Sequence, residues 1–399
     1  MSLLPVAEAR ARLLAGVRPI GVETVPLAEA GGRVLAADLA ATLTQPPFPA
    51  SAMDGYAVRA ADAASAGAVL RLTGESRAGS RFPGTLGPGE TVRIFTGAPV
   101  PEGADAILIQ ENAAADGDRV TVTEPVVPGR FIRPAGLDFR AGDILLRTGR
   151  RLDPRAIALA AAMNHPRIPV RRRPVVAILA TGDELVPPGT VPGPDQIVSS
   201  NGAGMAAFVA EAGAEPRDLG IAPDEPAGLG AAIDRAAGAD ILVVIGGASV
   251  GDHDIVQPVL AARGMDLDFW RIAMRPGKPM MVGRLGDTRV LGLPGNPVSA
   301  LVCATIFLRP LIRGLLGLDT AEEHETAILG ADMPENDRRQ DYVRARIARE
   351  GDRFVATPFP RQDSSMLATL AASDGLIVRP PHAPSAQSGS SVEVIRFRS

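Results

Sequence analysis

A single cysteine, Cys303, in 399 residues leaves no disulfide framework within the chain and points to a reducing compartment. It lies in the apolar run from Val298 to Leu308, so a packing role is expected rather than a nucleophilic one. The four histidines, His165, His253, His324 and His382, are scattered without metal-ligand spacing, so no zinc site is expected. Charge of one sign is lacking too. Forty-one basic and 45 acidic residues are interspersed and leave a net charge of −4. No nucleic-acid partner is therefore expected, and an anionic substrate would have to be drawn by local groups. No apolar stretch approaches the roughly 18 residues that span a bilayer. The N-terminal MSLLPVAEARARLLAG carries Glu8, Arg10 and Arg12 among its apolar residues, which reads as an amphipathic helix and not a signal peptide. These features predict a soluble, cytoplasmic protein without a membrane partner. No repeat of fixed period is present.

What the chain has is punctuation. Its 43 glycines and 36 prolines fall between apolar runs, which means many turns and short strands. Length alone predicts two to four domains. Residues 1–45 begin with a helix and end at Thr44-Gln45-Pro46-Pro47. Residues 46–135 are strand-like, with short pieces such as Thr91–Phe95 and Val120–Thr123 between turns. A helical stretch follows from Pro154 to Met163, with Asp153 as its cap and proline at its first position. Residues 136–171 are thus assigned with 1–45 to a helical linker domain, and 46–135 to an inserted β-rich lobe.

Residues 172–318 change character. Apolar strands Val175–Leu179, Ile241–Ile245 and Val290–Leu293 alternate with helical patterns over 202–211, 226–237, 256–263 and 298–316. Such alternation predicts a mostly parallel sheet with helices on both faces. Residues 319–399 return to strand-like pieces, Tyr342–Ile347 and Val392–Phe397, and predict a small β-domain. The fold class is therefore multidomain α/β and β.

Ligands of an open parallel sheet bind beyond the carboxyl ends of its strands, so those loops carry the functional reading. After the first strand come Asp183 and Glu184, two adjacent carboxylates. Ser200 or Asn201 can cap the following helix, whose N-terminus offers amides to an anion. After the second strand come Gly246-Gly247-Ala248-Ser249-Val250-Gly251-Asp252-His253-Asp254. Its glycines permit close backbone approach, and Asp252 and Asp254 supply the hard oxygens that magnesium prefers. Met274-Arg275-Pro276-Gly277-Lys278-Pro279 sets two cations in a proline-stiffened loop, a compact anion clamp. After the third strand, Asn296 reads as a cap and Pro297 as the first residue of a helix. Each loop alone is ordinary; four at one sheet edge are not.

With these loops the chain resembles the molybdopterin molybdenumtransferase family, the MoeA-type proteins and the E domains of gephyrin and its plant counterpart. The matching segments are Pro46-Pro47-Phe48 with Ser51-Ala52-Met53-Asp54-Gly55-Tyr56-Ala57, and Arg93-Ile94-Phe95-Thr96-Gly97-Ala98-Pro99. They continue with Thr181–Leu185, Ser200-Asn201, Gly246-Gly247 with Ser249–Asp252, Pro276–Pro279 and Gly292–Ser299. Tyr342-Val343-Arg344-Ala345 is a weaker match in the last region. The resemblance implies a homodimer of elongated four-domain subunits. It also implies adenylylated molybdopterin and molybdate as substrates, magnesium as helper, and molybdenum cofactor and AMP as products.

Carried over by position, the family's acids fall on Asp54, Asp138, Glu184, Asp224 and Asp254, and its threonine on Thr96. Of these acids, Glu184, Asp224 and Asp254 are the expected metal ligands. Expected substrate contacts are Asn201, Gly247, Ser249, Asp252, Arg275, Lys278, Pro294, Gly295, Asn296, Pro297, Ser299 and Arg339. Three departures stand out: Arg275 replaces a usual lysine, Leu137 a common glutamate beside Asp138, and Ile245 a usual serine. The resemblance also suggests handover of the pterin nucleotide from an adenylyltransferase. Two rival readings are an adenylyltransferase on the same sheet and a non-catalytic dimeric scaffold. ATP consumption against AMP production separates the first, and loss of the acidic and cationic loops would have favoured the second.

Overall fold

The run VVAILAT from Val175 to Thr181 is apolar at every position but its last, as a strand covered on both faces must be. In the computed structural model, which describes residues 3–247 and 255–397, this strand is an interior strand of a six-stranded sheet. The order runs Glu215–Ala222, Val175–Thr181, Ile241–Ile245, Thr288–Leu293, Met281–Leu285, Asp266–Trp270. The first four strands are mutually parallel, and the last two are antiparallel additions. Ala177, Leu179, Leu242, Val244 and Val290 form one core with helices Pro226–Asp234 and Val256–Ala262. The alternate residues Val176, Ile178, Val243 and Leu291 are equally buried on the opposite face. Helices Asn201–Ala212 and Pro297–Leu315 pack there.

The chain divides into two compact units, residues 1–23 with 171–399, and residues 24–170. In the first unit, the sheet is joined by a second six-stranded sheet. It is built from Glu325–Leu329, Gln340–Glu350, Arg353–Pro358, Gly375–Arg379 and Ser391–Arg396, with the two-residue strand Met274–Arg275 added at one end. Gln340–Glu350 also pairs with Gly375–Arg379, which closes the sheet on itself.

The Pro297–Leu315 helix corrects one sequence expectation. It has 19 residues, and an 18-residue window of it has a mean hydropathy of 1.6, long and apolar enough to cross a membrane by length and composition. Seventy-two per cent of the apolar window is buried inside the protein, as a core helix requires. The helix also contains a π-turn over Ala304–Leu308, and the sequence explains where its unpaired carbonyl arises. Pro310 has no N–H to give to Ile306, four residues before it. The guanidinium of Arg10 donates to the Ile306 carbonyl at 2.8 Å instead, and to Thr320 at 3.0 Å. The amphipathic N-terminal helix, Val6–Leu14, is thereby fastened to the core. Arg289, 8% exposed, donates to the carbonyl of Leu13 at 2.8 Å from the other side.

In the second unit a six-stranded sheet runs in the order Ala106–Ile109, Gly55–Val58, Glu90–Ile94, Val69–Ser76, Arg119–Val122, Ala113–Asp116. The helix Pro154–Ala162 starts as its sequence predicts: the Asp153 carboxylate accepts the Ala156 N–H at 2.8 Å.

Candidate functional site

Parallel register sets the loops of the α/β sheet side by side. Ala180 is opposite Ile245, Thr181 opposite Ala222, and Ile245 opposite Leu293. The segments beginning at Gly182, Pro223, Gly246 and Pro294 therefore leave one sheet edge together. Gly246 N–H donates to the Leu293 carbonyl at 3.0 Å, and Asn201 Nδ2 to the Gly295 carbonyl at 2.7 Å. Gly246 has φ +105°, and a Cβ there would lie 2.6 Å from the Thr181 carbonyl oxygen. Only glycine lets the backbone turn this close to its neighbour.

Three carboxylates gather on one side of this edge. The Asp224 N–H donates to Asp183 Oδ1 at 3.0 Å. Burial, then the negative charges of Asp183 and Glu184, raise the Asp224 carboxyl above the usual range. Among the described residues no three His, Cys, Asp or Glu side chains are arranged to hold a metal. Asp254, the third expected ligand, lies outside the described residues, as do Ser249 and Asp252. A cavity of about 670 Å³ opens beside Asp183, between the ends of the Val175–Thr181 and Glu215–Ala222 strands.

The cationic loop is organised differently from its sequence reading. Met274 and Arg275 pair in parallel with Gln340 and Asp341, and the Ile272 N–H to Lys278 carbonyl bond, 3.0 Å, closes the loop. Arg275 is engaged. Its Nε and Nη2 both donate to Asp341 Oδ2, the former at 3.0 Å. Its Nη2 also reaches Asn336 Oδ1 at 3.3 Å, and its Nη1 Asp337 Oδ2 at 3.4 Å. Arg339 is held by Asp337 as well, Nη2 to Oδ2 at 2.6 Å. The Arg339 guanidinium, followed by its backbone N–H, keeps the Asp337 carboxyl far below the usual range. Lys278 is exposed and forms no ion pair among the described residues. Behind the loop, Gly277 at φ +107° lies against Cys303, whose sulfur would be 2.4 Å from a Cβ. Burial drives the Cys303 thiol up to about 12.

The third-strand corner brings in residues that sequence reading missed. Asn296 and Ser200 occupy cap positions, but neither side chain caps its helix. Asn296 Nδ2 donates to Ser364 Oγ at 3.0 Å, and the Val298 N–H donates to the Ser364 carbonyl at 3.2 Å. The helix N-terminus is thus met by a loop from the C-terminal sheet. Arg344, 1% exposed, fixes that loop by donating to the Asp363 and Met366 carbonyls at 3.0 and 3.1 Å and to Gln362 Oε1 at 3.2 Å. The only signal was the polar run Arg361–Ser365. At this corner Pro294 and Ser299 are buried, Pro297 is half-buried, and Gly295 and Asn296 are exposed, as Gly247 is in part.

In the second unit, Thr96 donates to Asp54 Oδ1 twice, from its N–H and its hydroxyl, both at 2.8 Å. These bonds, the backbone one first, lower the Asp54 carboxyl. Arg93 lies over the Tyr56 ring at 4.9 Å. Asp138 N–H donates to the Gln45 carbonyl at 3.0 Å, and the neighbouring Leu137 is exposed.

Three family models cover the chain in succession. "MoeA N-terminal region (domain I and II)" matches residues 4–164, "Probable molybdopterin binding domain" 177–314, and "MoeA C-terminal region (domain IV)" 326–397. "Molybdopterin molybdenumtransferase 2" of Mycobacterium tuberculosis is 38% identical over 395 residues, 96% of each chain. "Molybdopterin molybdenumtransferase" of Bacillus subtilis is 34% identical over 405 aligned residues, covering 99% of this chain and 94% of the other. Among solved structures, a molybdopterin biosynthesis MoeA protein from Pyrococcus horikoshii superposes with TM-score 0.86 at 31% identity, with both chains fully covered. With relatives of this identity along nearly its whole length, the chain belongs to the molybdopterin molybdenumtransferase (MoeA) family.

Proposed function

We propose that this enzyme acts in molybdenum cofactor biosynthesis by inserting molybdenum into adenylylated molybdopterin, releasing molybdenum cofactor and AMP. The observation that carries this reading is the shared sheet edge: four loops leave it together, with an acidic cluster among them. Lys278, on the following loop of the same unit, adds a cation that has no ion pair among the described residues. Cleaving a pyrophosphate link mainly requires positioning and charge stabilisation, which loops of this kind supply.

In this reading Lys278 grips molybdate or the terminal phosphate, helped by amides around Gly247, Gly295 and Asn296. Ser249, Asp252 and Ser299 are further proposed substrate contacts, with Asn201 bracing the corner through Gly295. Pro294 and Pro297 stiffen that corner. Arg275 and Arg339 reach the anion only by giving up part of their hold on Asp337 and Asp341.

Glu184 and Asp224, with Asp254, are the proposed magnesium ligands. The mutual repulsion that raises Asp224 fits a divalent cation, since hard oxygen donors crowded together favour one. Bound there, magnesium would neutralise pyrophosphate charge and polarise its phosphorus. Asp54, Thr96 and Asp138, in the second unit, are further proposed catalytic residues, with a homodimer as the working assembly and an adenylyltransferase as the donor of substrate. The decisive experiment is incubation with adenylylated molybdopterin, magnesium and molybdate, following AMP by chromatography. No AMP above a protein-free control refutes the proposal.

A further inference from the structure

The carboxylate of Asp341 is buried and only half used. Its Oδ2 accepts both Nε and Nη2 of Arg275, the former at 3.0 Å. Its Oδ1 is enclosed and has no hydrogen-bond partner among the described residues. Buried polar atoms are nearly always bonded, so an orphan oxygen on an ionised carboxylate needs a reason. A second state in which the group carries a proton supplies one, because a neutral carboxyl tolerates burial that a bare charge does not.

Asp341 lies on the Gln340–Glu350 strand, opposite Arg275 on one side and Arg379 on the other. The charged groups around it are these two arginines with Asp337 and Arg339 from the preceding loop. Arg379 is spent on the carbonyls of Pro334 and Pro384. Arg339 is held by Asp337, whose own charge opposes that of Asp341. Of these cations Arg275 alone bonds the Asp341 carboxylate. Burial outweighs those bonds and already lifts the Asp341 carboxyl above the usual range. Yet Arg275 is exposed, on the same short loop as the exposed Lys278. If its guanidinium turned to an anion held at Lys278, Asp341 would stay buried with no cation bonded to it.

Resting on the anion-binding role proposed above for this loop, we infer that Asp341 is a positioning residue that exchanges Arg275 for a proton when a tetrahedral dianion binds. In the unloaded state the ionised carboxylate holds Arg275. In the loaded state Arg275 donates to the dianion beside Lys278, and the Asp341 carboxylate takes a proton from solvent. The buried charge is thus neutralised in both states, by the guanidinium in one and by the proton in the other. Dianion binding and proton uptake are thereby linked, so affinity rises as pH falls.

The test is calorimetric titration of the full chain with sulfate, which stays a dianion between about pH 5.5 and about pH 8. Native affinity should fall about tenfold across that range, and heats in buffers of different ionisation enthalpy should show a proton taken up on binding. Asp341→Asn is neutral and of the same size, so its sulfate affinity should stay within about twofold over the range and exceed the native value at the alkaline end. Arg275→Ala leaves Asp341 without its cation in both states and should take up no proton, a readout that stands even where Asp341→Asn fails to fold. Failure of sulfate to bind the native chain, or binding without proton uptake, overturns the inference. So does an Asp341→Asn chain that binds sulfate more weakly than the native one at every pH, as a carboxylate that merely props Arg275 would give. Because sulfate binding needs no turnover, proton-linked binding in a chain that releases no AMP would sink the proposed reaction and leave this assignment standing.

Discussion

At the scale of single residues, the site trades stability for chemistry. Asp224 is an acid whose folded-state carboxyl is raised by burial and by two neighbouring negative charges. Its ionised form is therefore disfavoured in the native state, a penalty present at neutral pH and relieved as pH falls through the raised value. Asp224→Asn should raise Tm at pH 7, the gain should shrink as pH falls through the raised value and be gone below about pH 4, and AMP release should be lost. A lowered Tm at pH 7 would contradict this account. Asp54 is the opposite case. Its folded carboxyl is lowered by Thr96, so its contribution is present above the ordinary carboxylate range and fades as pH falls through the lowered value. Thr96→Val should move the Asp54 titration upward in a carboxyl NMR experiment. The two cations also differ. Arg275 is already bonded to Asp341 Oδ2, whereas Lys278 is unpaired among the described residues. Lys278→Ala should therefore raise the molybdate KM at least tenfold and Arg275→Ala by less, with equal effects arguing against the distinction.

At the scale of elements, half-buried charges act as fasteners. Asp240 accepts two bonds from Arg172, at 2.5 and 2.8 Å, and the Val175 N–H at 2.8 Å, pinning the start of the first sheet strand. Asp240→Ala should cost about 2 kcal/mol in urea unfolding, the scale of hydrogen bonds to a charged group. Legibility in the sequence followed burial. Ile241–Ile245 is five apolar residues in a row, covered on both faces, and its ends can be read to the residue. Glu215–Ala222 was missed because an edge strand tolerates Glu215, Arg217 and Asp218, which erases the apolar run. Arg344 stood only within a matching segment, and its role was hidden for a related reason. Nothing local tells that a charged side chain will be buried and spent on backbone carbonyls, since its partners lie 18 to 22 residues away. The acids of the site, by contrast, stand directly at strand ends, where topology alone makes them neighbours.

At the scale of the molecule, the chain crosses between its two units at residues 23–24 and 170–171. On the side of the first unit these crossings are close together: the Arg172 N–H donates to the Gly21 carbonyl at 2.9 Å. A short linker can therefore replace residues 24–170 at small loop-closure cost. Such a chain should unfold in one cooperative transition and retain molybdate binding, yet lack AMP release if Asp54 and Thr96 are needed. Multiphasic unfolding would show that the first unit depends on the second.

The buried thiol behind Gly277 has a practical corollary. With a single sulfhydryl fully enclosed and driven to about 12, the native protein offers thiol reagents nothing to react with. Cysteines introduced at chosen surface positions would be labelled alone, without first removing a native one. Fluorophores or spin probes could then report, pair by pair, how the cavity and the cationic loop rearrange when a ligand arrives.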